Sequence, residues 1–115
     1  MAKFAVLLWA PTPADPMAAP EDEMAGHEAF GGKVDELGAK ILDGYALHAS
    51  TEGKTVKGKK GEVVEGTFVD GTHAITGFFI LEAEDLDQAV ELAKTSPTTW
   101  RGGVEIRPLF EPPQG

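Results

Sequence analysis

A chain of 115 residues has room for one hydrophobic core and therefore for a single domain, residues 1–115. It contains no cysteine, which excludes disulfides, thiolate catalysis and cysteine-bound metal and suits a cytoplasmic location. The formal charge of −9 repels nucleic-acid phosphates and anionic lipid, and no apolar run nears the roughly 18 residues that span a bilayer, so neither nucleic acid nor membrane is expected as a partner.

Residues 3–9, KFAVLLW, read as the first strand. Their consecutive apolar residues lack the alternation of a strand with one wet face, so both faces are expected to be covered. The same run followed by TPADPMAAP has something of a signal peptide's composition, but its apolar centre is too short and the strand reading is preferred. Pro11, Pro13, Pro16 and Pro20 make residues 10–20 a loop. Glu21, Asp22 and Glu23 then place negative charge where a helix start favours it. Met24, His27, Phe30, Val34 and Leu37 fall on one stripe of that helix, which Gly38 ends. Gly26, Gly31 and Gly32 each cost it about 1 kcal/mol relative to alanine, so packing must hold it.

A second strand is expected over residues 39–48, with Ile41, Leu42, Tyr45 and Leu47 as its apolar content and Gly44 as a bend. Thr55 and Val56 then face Val63 and Val64 across Gly58 and Gly61 in a polar hairpin. Lys54, Lys57, Lys59 and Lys60 on it read either as an anion patch or as guards against edge-to-edge pairing. Past a polar loop, residues 65–73, the apolar run at 75–81 reads as a buried strand. Asp85 with Gln88 forms a capping-box variant, and Leu86, Ala89, Val90 and Ala93 mark the buried side of a second helix that stops before Pro97. After a loop with Trp100 and Arg101, residues 104–110 form the last strand, Val104 and Ile106 facing one way and Glu105 and Arg107 the other.

This order fits an α+β fold, a largely antiparallel sheet with two helices on one face. The other face then needs covering, and a second copy of the chain is the simplest cover, so a homodimer is expected.

Among chemistry-bearing residues, His27 lies on the helix stripe that faces the sheet. There it serves as a general base or acid at a cavity wall, or as a hydrogen-bonded structural histidine. Glu65 and Asp70 form an acid–base pair or are loop carboxylates making turn hydrogen bonds, and Asp70 with His73 has the spacing of a carboxylate–histidine pair. Glu105 and Arg107 share one side of the last strand, where they suit a polar ligand, a subunit partner or a plain ion pair. Phe68, Phe78, Trp9 and Trp100 line a cavity or fill the core. His27, His48 and His73 lack metal-ligand spacing, and glycine-rich nucleotide loops are absent, so no metal and no cofactor is expected.

The run EGTFVDGTHAITGFFILEAEDLDQAVELAKTSP followed by GGVEIRP resembles the YCII-related proteins, in particular the branch called DGPF-domain proteins, and the likeness covers most of the chain. Where that branch usually has Asp-Gly-Pro-Phe, this chain has Glu65, Gly66, Thr67 and Phe68. Asp70 stands in place of Glu, and Thr72 and His73 stand where Lys and Glu are usual. The resemblance implies a ferredoxin-like βαββαβ fold with an extra hairpin, of the dimeric α/β-barrel type. It also aligns His27 with a histidine tied in the wider group to a His and Asp active site, and sets Asp43 near where the partner carboxylate would come. No settled activity is implied. Two function classes stand: a cofactor-free enzyme moving protons on a small organic molecule with His27 and a carboxylate, and a non-catalytic small-molecule-binding or regulatory dimer.

Overall fold

The chain runs β1 (Ala2–Pro11), α1 (Glu21–Glu36), β2 (Lys40–Ala46), β3 (Lys54–Lys57), β4 (Glu62–Glu65), β5 (His73–Ala83), α2 (Leu86–Ala93) and β6 (Gly103–Pro108). Short 3-10 turns lie at Pro16–Ala18, Ser50–Glu52 and Pro97–Trp100. Residues 1–69 and 71–110 are described by this computed structural model. Four strands make one antiparallel sheet in the order β2-β5-β1-β6, and β3 and β4 pair separately as a hairpin. The architecture is mixed α+β and compatible with a ferredoxin-like arrangement.

Both helices cover the same face of the sheet. Phe4, Val6, Leu81 and Ala83 from the strands meet Phe30 and Val34 of α1 and Ala89 and Leu92 of α2 in one core. Each fully buried leucine there contributes about 1.5–3 kcal/mol. Phe79, beside Val6 in the register, sets its ring against Phe30 at 5.7 Å and a tilt of 56°, an edge-biased geometry that aromatic quadrupoles favour. Gly44 lies opposite Phe79, and a side chain there would put its Cβ 2.7 Å from that of Phe79. Asp85 caps α2 by accepting from Gln88 N at 2.8 Å, while Gln88 Oε1 accepts from Glu84 N at 2.7 Å. This is the capping-box variant read from the sequence, with the return bond made to the residue before the cap.

Several expectations are corrected. β1 continues through Ala10 to Pro11, because its register with β5 persists to His73 past an irregularity between Leu8 and Trp9. The proline-rich stretch is thus loop only beyond that point, and includes the turn at Pro16–Ala18. In the single chain Phe4, Val6 and Ala10 of β1 are buried, and Ala5, Leu7 and Trp9 on the face without helices are half-buried. On α1 the buried residues are Glu23, Phe30 and Val34, while Met24, His27 and Leu37 are exposed. The cause is Gly26, whose missing Cβ would stand 2.8 Å from Pro97 Cβ and 3.0 Å from Trp100 Cη2. That close approach turns the inward face toward Glu23 and leaves Met24 about a quarter-turn away. On α2 the sheet-facing side is centred on Ala89, Leu92 and Ala93, leaving Leu86 and Val90 exposed. The last strand ends at Pro108, not at residue 110.

Candidate functional site

Three local features build a cavity beside α1. The first turn of α1 carries Glu21, Asp22 and Glu23, favoured there by the helix dipole. After α2, Pro97 opens the 3-10 turn that Arg101 follows as its C-cap. Gly102 follows directly against the Trp9 carbonyl, with no room for a side chain. Because Gly26 lets α1 settle on this turn, Glu23 and Arg101 meet although they are 78 positions apart. Arg101 Nε donates to Glu23 Oε1 at 3.1 Å and Nη2 donates to Oε2 at 3.2 Å.

Glu23 is almost fully enclosed, its side chain 3 % exposed against 25 % for Arg101. A forked guanidinium–carboxylate pair of this kind roughly offsets its own desolvation, but removing one partner strands the other and costs about 3–5 kcal/mol. The pair therefore ties the turn to α1 and holds the guanidinium in one orientation.

Beside it lies a cavity of about 460 Å³ between α1, the turn and the strands. Leu8, Phe30, Ile41 and Phe79 supply much of its wall, and Glu23, His27, Tyr45, Thr76, Ser96, Thr98 and Arg101 are its residues with polar side chains. Thr76 is already committed, donating from Oγ1 to the Ala14 carbonyl at 3.1 Å. His27, one turn along α1 from Glu23, is exposed at the wall. Its side chain makes no hydrogen bond among the described residues. A structural histidine would be tied to a fixed partner, and His27 has none there.

The remaining sequence candidates lie elsewhere. Glu65 and Phe68 line a second cavity of about 590 Å³ with Thr12, Ser50, Lys57 and Thr67, and the two cavities share no residue. Glu65 accepts from Lys54 Nζ at 2.9 Å in an exposed pair, of the kind worth about 0–1 kcal/mol. Asp70 falls outside the described residues, so its pairing with Glu65 or His73 has no geometry here. His73, at the start of β5, sets Nδ1 2.9 Å from Thr72 Oγ1 and lines neither cavity. Arg107 is exposed opposite Ala5, on the sheet face without helices. Glu105, beside it, accepts from Trp9 Nε1 at 3.1 Å.

Asp43 lies opposite Ile80 and accepts from Gly44 N at 3.0 Å. A hydrogen bond to Asp43 first, and the negative charge of that carboxylate second, push the Tyr45 phenol above its ordinary value of 10.0. Asp43 does not line the cavity that holds His27. Among the described residues no three His, Asp or Glu side chains converge as a metal site.

Sequence reasoning missed Glu23 and Arg101. Glu23 was read as a dipole charge, yet it precedes Phe30 by seven residues and Val34 by eleven, a spacing that returns to one helix face. An acidic residue on the buried stripe was the available signal. Arg101 had none, since its partner is distant in sequence.

No curated protein sequence matches the chain at a significant level. A model of the YCII-related domain matches residues 13–112, a span that includes α1, the turn and all of the polar side chains of the cavity beside α1. By that match over most of its length, the chain belongs to the YCII-related domain family.

Proposed function

We propose that this YCII-family protein is a small-molecule-binding homodimer of the dimeric α/β-barrel type, each copy taking a small, largely apolar organic molecule in the cavity beside α1. The observation that carries this reading is the roughly 460 Å³ cavity itself, mostly apolar with a few convergent polar groups, the usual make-up of a ligand site. Dimer formation is supported by the half-buried apolar residues Leu7, Trp9 and Ile80 on the sheet face that the helices leave open.

Proton transfer on the bound molecule is the second reading, favoured by one observation: His27 stands at the wall of this cavity, exposed and without a hydrogen-bond partner among the described residues. A histidine in that setting acts as general base or acid when a ligand proton comes within about 3.2 Å. Glu23 is committed to Arg101 and Glu65 lines the other cavity, so His27 would act here without either as its orienting carboxylate.

A thermal-shift screen of small organic compounds against wild-type protein and His27→Leu tests both readings. Being exposed and unbonded, His27 is expected to be replaceable with a stability change within about 0.5 kcal/mol. Compounds that raise the wild-type melting temperature are expected to lose that effect in His27→Leu if they contact the imidazole. A several-degree drop in the melting temperature of uncomplexed His27→Leu would instead mark the histidine as structural.

A further inference from the structure

We infer that Arg101 is the polar anchor of the cavity and that the ligand class is an organic acid, an apolar body carrying one carboxylate, with Glu23 acting as the residue that positions the anchor. This deepens the binding role proposed above and rests on it. A guanidinium has five N–H donors in a planar fork. Nε and one N–H of Nη2 go to Glu23, and among the described residues no protein acceptor takes the two on Nη1 or the second on Nη2. Arg101 is also the more open partner, one quarter exposed where Glu23 is sealed, so it is the guanidinium that presents surface to the cavity. Among the described residues no lysine and no second arginine lines this cavity.

Orientation adds to this. Glu23 grips one edge of the fork, Gly26 brings α1 onto the turn, and Gly102 locks the turn against β1, so the free edge of the guanidinium is held in place before a ligand arrives. A fixed, planar pair of donors matches the two oxygens of a carboxylate. The surrounding Leu8, Phe30, Ile41 and Phe79 match a hydrocarbon or aromatic body, for which water offers no competing partner. An amine is disfavoured on the same grounds, since it would place a cation against the anchor.

Calorimetric titration with benzoate, 2-naphthoate and cyclohexanecarboxylate, each beside its primary amide, tests the inference on wild type, Arg101→Gln, Arg101→Lys and the double variant Glu23→Gln/Arg101→Gln. The double variant leaves no unpaired buried charge, and circular dichroism checks that it folds. At least one acid is expected to bind wild type tenfold or more tightly than its amide. That preference is expected to disappear in the double variant and to shrink in Arg101→Lys, which keeps the charge but loses the fork. Acids and amides binding equally well, or an acid preference that survives in the double variant, would overturn the anchor while leaving the binding cavity intact. If none of the six compounds binds wild type, the anchor and the binding role fall together.

Discussion

Tyr45 is a residue whose behaviour follows from one neighbour. Asp43 stands two positions earlier on β2, and its hydrogen bond and charge both favour the neutral phenol, raising the pKa above 10.0. For a raised folded-state pKa the protonated form is the one the fold prefers. The stabilising contribution is therefore complete below the unfolded value and is lost as pH climbs through the folded one. Tyr45 is the chain's single tyrosine, so an ultraviolet titration of phenolate reads it without ambiguity. The expected midpoint lies above 10.0 in the wild type and moves back toward that value in Asp43→Asn. A wild-type midpoint at or below the ordinary value would remove Asp43 as an effective neighbour. Asp43 thus acts on Tyr45, which lines the cavity that holds His27, although Asp43 itself does not line it.

At the level of elements, α1 shows why glycine cannot be read from sequence alone. All three of its glycines, Gly26, Gly31 and Gly32, carry the same helix-propensity cost, but only Gly26 has a packing reason, its close approach to Pro97 and Trp100. A Cβ on Gly31 or Gly32 meets nothing within 4 Å among the described residues. Gly31→Ala is accordingly expected to stabilise the protein by about 0.5–1 kcal/mol in urea unfolding. Gly26→Ala gains the same propensity and is expected to lose more through displacement of the turn, so its midpoint should fall. Equal gains at the two positions would mean that α1 is not seated on the turn. The strands, helices and hairpin were legible because local signals mark them: apolar runs in β1 and β5, the Asp85 and Gln88 box in α2, and paired valines flanking Gly58 and Gly61. The rotation of α1 was not legible, for it depends on a glycine meeting a turn that lies 71 residues downstream of Gly26 at Pro97. The candidate site inherited that error. His27 was found through its stripe, but Glu23 and Arg101 were hidden, and Glu65 and Phe68 line a separate cavity.

The whole molecule leaves one large question at the sheet face away from the helices. Leu7 and Trp9 of β1 and Phe78 and Ile80 of β5 lie across the sheet from Val6, Phe79 and Leu81, with Tyr45 of β2 in register with Phe78, and Tyr45 and Phe78 pair their rings at 6.1 Å. A contiguous apolar face of this sort is rare on a monomer and common where two copies meet about a twofold axis. The flanking charges suit that arrangement, with Glu105 and Arg107 on β6 at one edge and Asp43 on β2 at the other. Light scattering of the wild type at micromolar concentration is expected to give the mass of a dimer. Leu7→Lys is the sharper probe, because Leu7 lies opposite Glu105 in the β1–β6 register. The new ammonium can then pair with a carboxylate of its own chain, a cross-strand interaction worth roughly 0.2–1 kcal/mol, so the monomer keeps its fold. Two such lysines brought toward a twofold axis would bury charge between the sheets, where an imperfectly paired ion costs several kcal/mol. The variant should therefore scatter as a monomer while its far-ultraviolet circular dichroism stays that of the wild type. A variant that remains dimeric, or a wild type that is already monomeric, would show that some other surface, or none, joins the copies.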